Sequence, residues 1–96
     1  AYSLGRVEIM EAATVAQEVY LCTGSHDFES TDMQLITKSI TIEKNAFIGV
    51  RAMILPGVKI GKNAIVGAQA VVSKNVPENE IFAGNPARKI SIRKKV

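Results

Sequence analysis

Residues 40–76 read ITIEKNAFIGVRAMILPGVKIGKNAIVGAQAVVSKNV, and this stretch decides the fold. A β-branched aliphatic residue recurs at every sixth position, and a small residue, alanine or valine, stands four positions after each one. The aliphatic series is Ile42, Ile48, Ile54, Ile60, Val66 and Val72, and the small series is Ala46, Ala52, Val58, Ala64, Ala70 and Val76. Glycine directly follows the aliphatic residue at Gly49, Gly61 and Gly67.

A period of six matches neither the 3.6-residue turn of an α-helix nor the two-residue alternation of a plain strand. It fits short strands joined by tight corners, with one large and one small inward residue on each flat side. Three such sides close a triangular coil, which cannot bury its interior alone and must stack on other coils. We therefore predict an all-β solenoid, a parallel β-helix in which residues eighteen positions apart lie above one another.

The same rule holds upstream of this stretch, and one polar segment interrupts it. The upstream pairs are Ile9 with Ala13 and Val15 with Val19, followed by Leu21, and the downstream phase extends back to Ile36 with Ile40. Residues 24–35 are mostly polar, which predicts a loop that projects from the solenoid. If this loop occupies one side of a coil, Leu21 stacks beneath Ile48 and Val66, and Thr23 stacks beneath Val50 and Ala68.

Pro77 ends the repeats, and a tail follows that we expect to fold back along the coils. The prediction is one β-helix domain over 1–96, with a first coil over 1–23, a protruding loop over 24–35, hexapeptide coils over 36–77 and a tail over 78–96. So short a stack has open edges at its N-terminal end, which invite pairing. This predicts either further N-terminal coils or shelter by oligomerisation.

Composition excludes several classes of protein. The only cysteine, Cys22, rules out a disulfide framework and a cysteine metal motif, and it fits a reducing, cytoplasmic compartment. No apolar run is long enough to span a bilayer, and no secretory signal opens the chain. The net charge of +3 is mild, but five cations stand in the last nine positions. Such a tail can attract any polyanion, including a phosphorylated cofactor, a membrane surface or nucleic acid, or it can be solvated.

The hexads, the stretch Leu21-Cys22-Thr23-Gly24-Ser25-His26-Asp27 and the ending Ala83-Gly84-Asn85-Pro86-Ala87 resemble the hexapeptide-repeat acyltransferases. The chain is most similar to the C-terminal portion of the galactoside, maltose and colanic-acid-biosynthesis O-acetyltransferase branch. The resemblance implies a left-handed β-helix, a homotrimer with active sites in grooves between subunits, and acetyl-CoA as co-substrate. The sequence departs from the family at Phe47, where tryptophan is usual, and at Met10, where a corner glycine is common.

The resemblance also implies roles for individual residues. His26 matches the general base, and Val50, Ala68, Ser73, Lys74 and Arg88 match positions that contact CoA. Val50 matches a corner near the thiol, and Arg88 matches a basic position near the phosphates. Ordinary surface charge is the alternative interpretation for Lys74 and Arg88.

Acyl transfer to an alcohol needs a group that removes the hydroxyl proton, and histidine suits this role because its unperturbed pKa lies near neutrality. His26 is the only histidine of the chain, and it stands in the segment that breaks the repeat. Asp27 and Asp32 could orient the imidazole or bind the acceptor, or they could be solvated acids; Gln17 is a weaker candidate for the same region. A backbone N–H near a corner glycine would most simply hold the oxyanion, and glycines in that column would let a ligand approach the backbone.

Three other interpretations are open to such a solenoid. A zinc-dependent carbonic anhydrase needs several histidines, and this chain has one, so no metal is expected. The chain could also be a non-catalytic scaffold or an inactive acyltransferase fragment, and acetyl-CoA binding would separate an enzyme from a scaffold. Nucleic-acid binding is disfavoured because no aromatic stacking platform accompanies the basic tail. The sequence predicts an acetyltransferase that acts on a hydroxyl of a sugar or other small acceptor, without nucleic acid and without membrane insertion.

Overall fold

The structure, a computed structural model, describes residues 6–26 and 35–94, with side chains over 6–24 and 38–94. The regular elements in this part of the chain are short β-strands, and the molecule is an elongated prism of 48 × 24 × 21 Å. Three stacks of strands form faces that we name A, B and C. An antiparallel pair, β4 (Gly24–His26) and β5 (Leu35–Thr37), leaves the prism between its first and second coils.

Each face is a ladder of parallel strands, one from each coil. Face A contains β1 (Val7–Ile9), β6 (Ile40–Ile42) and β9 (Lys59–Ile60). Face B contains β2 (Thr14–Val15), β7 (Phe47–Ile48), β10 (Ile65–Val66) and β12 (Glu80–Ala83), with β13 (Arg88–Ile92) antiparallel at its end. Face C contains β3 (Tyr20–Leu21), β8 (Met53–Ile54) and β11 (Val71–Val72).

The predicted stacking at eighteen residues is confirmed in the second and third coils. Ile42 lies beside Ile60 on face A, Ile48 beside Val66 on face B, and Ile54 beside Val72 on face C. The predicted inward positions form the core: all six large residues are at most 1% exposed, and all six small ones at most 3%. Alternation of large and small residues lets successive coils fill the interior at native density.

The corners hold the chain in the left-handed region of backbone space. The residues with φ near +60° are Ala12, Glu18, Asn45, Arg51, Asn63, Gln69 and Asn79, and Gly57 has φ +81°. The sequence drew attention instead to Gly49, Gly61 and Gly67, whose role is different. A Cβ atom at Gly49 would lie 2.6 Å from the backbone nitrogen of Ala68, so this glycine permits two coils to touch. The sequence predicted that glycine would let a ligand come close to the backbone. At Gly49, it is the backbone of the next coil that lies close.

The predicted register across the loop is wrong. Leu21 lies beside Ile54 on face C, and Val15 takes the expected place beside Ile48. First-coil residues pair with residues 33 positions further on, as Val7 does with Ile40, instead of 18. The fifteen extra residues start and end at the corner between faces C and A, where the Lys38 amide donates to the Thr23 carbonyl at 2.9 Å.

The strands β4 and β5 also change the predicted loop boundaries. The segment begins and ends as a two-stranded stem, because antiparallel pairing lets the chain leave and re-enter the prism at one corner. Ile36 belongs to this stem, where it pairs with Ser25, and the coils resume at Ile40.

The tail extends face B by two further strands. Ile81 and Phe82 pair with Ile65 and Val66, and Phe82 packs against the core. The chain turns through Gly84, Asn85 and a cis Pro86, and β13 runs back antiparallel along β12. The tail therefore closes the C-terminal end of the stack.

Arg93 fastens the end of the tail to the corner between faces A and B. Its Nη1 donates to the carbonyl oxygens of Asn45 at 3.0 Å and Asn63 at 3.4 Å, and its amide donates to the carbonyl of Asn79. These three asparagines occupy left-handed corner positions in successive coils. Arg93 thus ties three coils together, two through its side chain and one through its backbone amide.

We expect Arg93→Ala to lower the free energy of unfolding by about 1 kcal/mol, because a charged donor to partly buried carbonyls is lost. Lys94→Ala is the matched control, since Lys94 is exposed and lies next in the chain. Urea denaturation of both variants measures the difference. Equal stability of the two variants would show that the Arg93 contacts contribute nothing.

Candidate functional site

The stem β4–β5 carries the only histidine of the chain. His26 is the last residue of β4 and its backbone pairs with Leu35, so it stands roughly 10 Å along the stem at 3.3 Å per residue. The root is anchored in the core, because Thr23 is fully buried and its carbonyl accepts the Lys38 amide. Asp27 and Asp32, the predicted acidic partners, lie outside the described residues.

The corner between faces C and A, from which the stem leaves, also holds two of the predicted cofactor residues. In the second coil this corner is Leu55-Pro56-Gly57, and in the third it contains the exposed Ser73 and Lys74. A Cβ atom at Gly57 would lie 3.2 Å from Cδ of Lys38. Because glycine has no side chain, the aliphatic part of Lys38 has room to cross this corner. The His26 strand, Lys38, Ser73 and Lys74 therefore share one edge of the prism.

The other predicted residues stack along the corner between faces B and C. The Arg51 amide donates to the Gln17 carbonyl at 3.1 Å, and the Gln69 amide donates to the Val50 carbonyl at 2.9 Å. These bonds place Gln17, Val50 and Ala68 in successive coils of one column, with Val50 39% exposed and Ala68 exposed.

Arg88 stands at the top of the same column. It pairs with Ala83, whose Cβ lies 3.1 Å from the position that a Cβ on Gly67 would take. Gln17 therefore lies with the cofactor candidates and not beside the histidine, where the sequence suggested it.

Face C separates the two groups. Its outward residues Tyr20, Met53 and Val71 form an apolar strip between the corner of Val50 and the corner of Lys74. The expectation that the loop leaves from the Val50 column is wrong, because the stem leaves one corner further round. A site that uses both groups must span face C or draw them from different subunits.

The sequence patterns did not lead us to predict that the outward residues of faces B and C form an apolar surface, although the hexads contain them. They stand one position before each large inward residue, as Phe47, Ile65 and Ile81 do on face B. Phe47 is 40% exposed and Tyr20 is 39% exposed. Face A differs, because its outward residues Glu8, Thr41 and Lys59 are polar.

A shallow groove lies at the corner between faces A and B. It has a volume of about 330 Å³ and is lined by Met10, Glu11, Glu43, Lys44 and Lys62. None of the predicted site residues lines it. In the described ranges, no group of three or more histidine, cysteine or acidic side chains is arranged to hold a metal ion. The same ranges contain no helix that is long and apolar enough to cross a membrane.

Comparison with known proteins points to one family. Residues 39–74 match the model of the bacterial transferase hexapeptide family (six repeats). The putative colanic acid biosynthesis acetyltransferase WcaF of Escherichia coli is 37% identical over 95 residues, which cover 99% of this chain and 51% of that protein. The chain thus spans about half the length of this curated relative.

Solved structures share the fold. AntD, an N-acyltransferase from Bacillus cereus in complex with dTDP and 3-hydroxybutyryl-CoA, superposes with a TM-score of 0.83 at 26% identity, over 92% of this chain and 52% of that one. A hexapeptide-repeat acetyltransferase from Vibrio cholerae complexed with acetyl coenzyme A gives 0.75 at 25% identity, over 93% and 61%. The predicted left-handed parallel β-helix is confirmed.

Proposed function

Because the chain belongs to the hexapeptide-repeat acyltransferase family, we propose that it acts as an acetyl-CoA-dependent O-acetyltransferase on a hydroxyl of a sugar or similar small acceptor. The observation that carries the proposal is the stem, whose strand β4 ends at the one histidine of the sequence and which leaves the prism at the corner that also holds Ser73 and Lys74. The predicted cofactor residues flank a single face of the prism. The likeness to relatives named acetyltransferases supports the same reaction.

The reaction proceeds by direct transfer. His26 accepts the proton of the acceptor hydroxyl as its oxygen attacks the thioester carbonyl, and the tetrahedral intermediate then expels the CoA thiolate. The thiolate takes up a proton, so an ester and free CoA are the products and histidine is restored. Backbone N–H donors at a corner would stabilise the oxyanion, because such donors are fixed before reaction. Cys22 has no part in this scheme, since its thiol faces the carbonyl of Gly24 at 3.2 Å.

The cofactor candidates have distinct tasks. Val50 and Ala68 provide a small, exposed column along which the pantetheine arm lies, and Ser73, Lys74 and Arg88 provide polar contacts to CoA. Arginine offers a planar set of donors for phosphate, and lysine a mobile point charge. The proposal requires no metal, and it includes a cytoplasmic location, which the single free cysteine supports.

The proposal includes a homotrimer with the site between subunits. Faces B and C carry apolar outward strips that meet at the exposed Val50, and such continuous apolar surfaces mark interfaces. A neighbouring subunit that covers face C would bring its own corner residues toward the stem. This would join the histidine of one chain to the cofactor column of another.

Relatives and neighbours support a sugar acceptor, and one neighbour is named for acylation of nitrogen. WcaF is named for colanic acid biosynthesis, whereas AntD is an N-acyltransferase that was also solved with dTDP-4-amino-4,6-dideoxyglucose. Acyl transfer to an amino sugar is therefore the second candidate function. Asp27 and Asp32, together with Gln17, are the acceptor-binding candidates in either case.

Thiol release from acetyl-CoA with a panel of sugars and matched amino sugars tests the proposal. Acceptor-dependent thiol release with hydroxyl sugars, and mass spectrometry that finds an acetyl ester, is the expected result. Preference for amino sugars would favour the second candidate. A chain that binds no acetyl-CoA in calorimetry would instead be a scaffold.

We expect Arg88→Ala to weaken CoA binding about fivefold, as loss of one exposed charge contact to phosphate would do. Binding of pantetheine, which lacks the nucleotide phosphates, should not change. Arg6→Ala is the matched control, because Arg6 is also exposed but lies in the first coil. An equal loss for CoA and pantetheine would contradict a phosphate contact by Arg88.

A further inference from the structure

The terminal strand β13 carries two exposed isoleucines, Ile90 and Ile92, for which the proposed reaction has no use. Ile90 is 64% exposed and Ile92 is 53% exposed, the two highest values among the large apolar residues of the described chain. β13 is the last strand of its sheet, after β12, so its outer edge has no strand partner in the part of the chain that is described. Two large aliphatic side chains therefore face water on an open edge.

Cations flank these two isoleucines on both sides. Arg88 precedes them and Lys94 follows them, and both are exposed without an ion-pair partner within the described ranges. Lys89 and Arg93 are partly engaged, Lys89 with Glu80 at 3.3 Å and Arg93 with the corner carbonyls. Lys95 adds a further positive charge in the sequence. No acidic residue occurs between Glu80 and the end of the sequence.

We propose that β13 is a docking site for an anionic lipid bilayer surface, with Ile90 and Ile92 entering the headgroup region and the exposed Lys94 facing lipid phosphates. Aliphatic side chains amid basic residues are the combination that binds such interfaces, since apolar burial and electrostatic attraction add. Long basic side chains can reach headgroups while their stems cover apolar surface.

Charge selects this occupant over the alternatives. A second copy paired edge to edge along β13 would bring two strongly basic strands together, which repel. Nucleic acid would use the cations but offers no partner for exposed isoleucines, and β13 has no aromatic residue for base stacking.

Symmetry would strengthen a weak contact. In the proposed trimer, cyclic symmetry places three copies of β13 at the same height along the rotation axis. Linked sites that engage one surface bind far more tightly than one site. Docking would hold the protein at a membrane surface without crossing the bilayer.

Co-sedimentation of the full chain with vesicles tests the proposal, and it needs neither acetyl-CoA nor an acceptor. Vesicles of phosphatidylcholine with one phosphatidylglycerol in three lipids are compared with phosphatidylcholine alone, each at low and raised salt. We expect binding to the anionic vesicles only, and it should weaken with salt. The double variant Ile90→Ser/Ile92→Ser should bind these vesicles about tenfold more weakly, because several apolar carbons no longer leave water.

Two further variants separate location from composition. Ile9→Ser removes an isoleucine that is 50% exposed at the opposite end of the stack and should bind like the wild type. Lys94→Glu should weaken binding to anionic vesicles by several-fold with unchanged circular dichroism. Absence of wild-type binding, or equal binding by the double serine variant, would overturn the proposal. A change of oligomeric state in the serine variant without vesicle binding would also overturn it and identify β13 as a protein interface.

Discussion

His26→Ala is expected to lower acceptor-dependent thiol release by about 10²–10⁴-fold, the range that a positioned general base contributes. An alcohol is a weak nucleophile until its proton is removed, and the chain has no second histidine to take over that task. Binding of acetyl-CoA should persist, because the loss concerns proton transfer and not the thioester. Calorimetry with CoA and turnover with saturating acceptor therefore give different outcomes for the same variant.

Ser25→Ala is the matched control for this experiment. Ser25 is the neighbour of His26 in β4, so its substitution alters the same strand and leaves the imidazole in place. Both variants should keep the wild-type unfolding temperature, because the stem lies outside the three stacked faces. Wild-type turnover by His26→Ala would end the proposal for this residue, and an equal loss in Ser25→Ala would indicate a distorted stem.

The interior could be predicted from the sequence because each inward position is fixed by volume. A large aliphatic residue followed by a small one fills each side of a coil, and this pattern recurs in every hexad of 42–76. The left-handed corners were less visible. Asparagine tolerates the left-handed region, so Asn45, Asn63 and Asn79 are consistent with such corners. Ala12, Glu18 and Arg51 have the same backbone conformation, but their residue types do not predict it.

The register of the first coil against the second, across the stem, could not be predicted, and the reason lies in the repeat itself. A hexad fixes the phase within one face, but a coil has three faces that follow the same rule. After an interruption, the sequence does not say on which face the chain re-enters. Val15 and Leu21 both occupy the large inward position of a hexad, and only the strand pairing shows that Val15 is the one beside Ile48.

This ambiguity also divided the candidate site. The resemblance gives residues one by one, so it could name His26, Val50 and Lys74, but it could not say which corner each occupies. The structure places Val50 and Ala68 on one edge and the histidine strand with Lys74 on the next. The intervening face is our reason for proposing that the site is assembled between subunits.

Gly49→Ala is expected to lower the free energy of unfolding by about 3 kcal/mol, at the upper end of overpacking costs. The added Cβ would lie 2.6 Å from the Ala68 nitrogen, 2.9 Å from the Gly67 carbonyl carbon and 3.0 Å from the Ala68 Cα. All three are backbone atoms of the next coil, so no side chain can rotate away. The coil itself is held by the Gly49 amide, which donates to the Val66 carbonyl at 2.8 Å.

Gly67→Ala is the matched control, because it adds the same methyl group to the same face one coil further on. Its Cβ would first meet the Cβ of Ala83 at 3.1 Å, in the terminal strand pair, which can shift by a few tenths of an ångström. Alanine also restricts the unfolded chain at both sites, which favours folding by about 0.4–1 kcal/mol. That gain nearly offsets the milder contact at Gly67 but not the backbone clash at Gly49. Urea denaturation should therefore rank Gly49→Ala well below Gly67→Ala, and a reversed order would mean that coil spacing does not depend on this glycine.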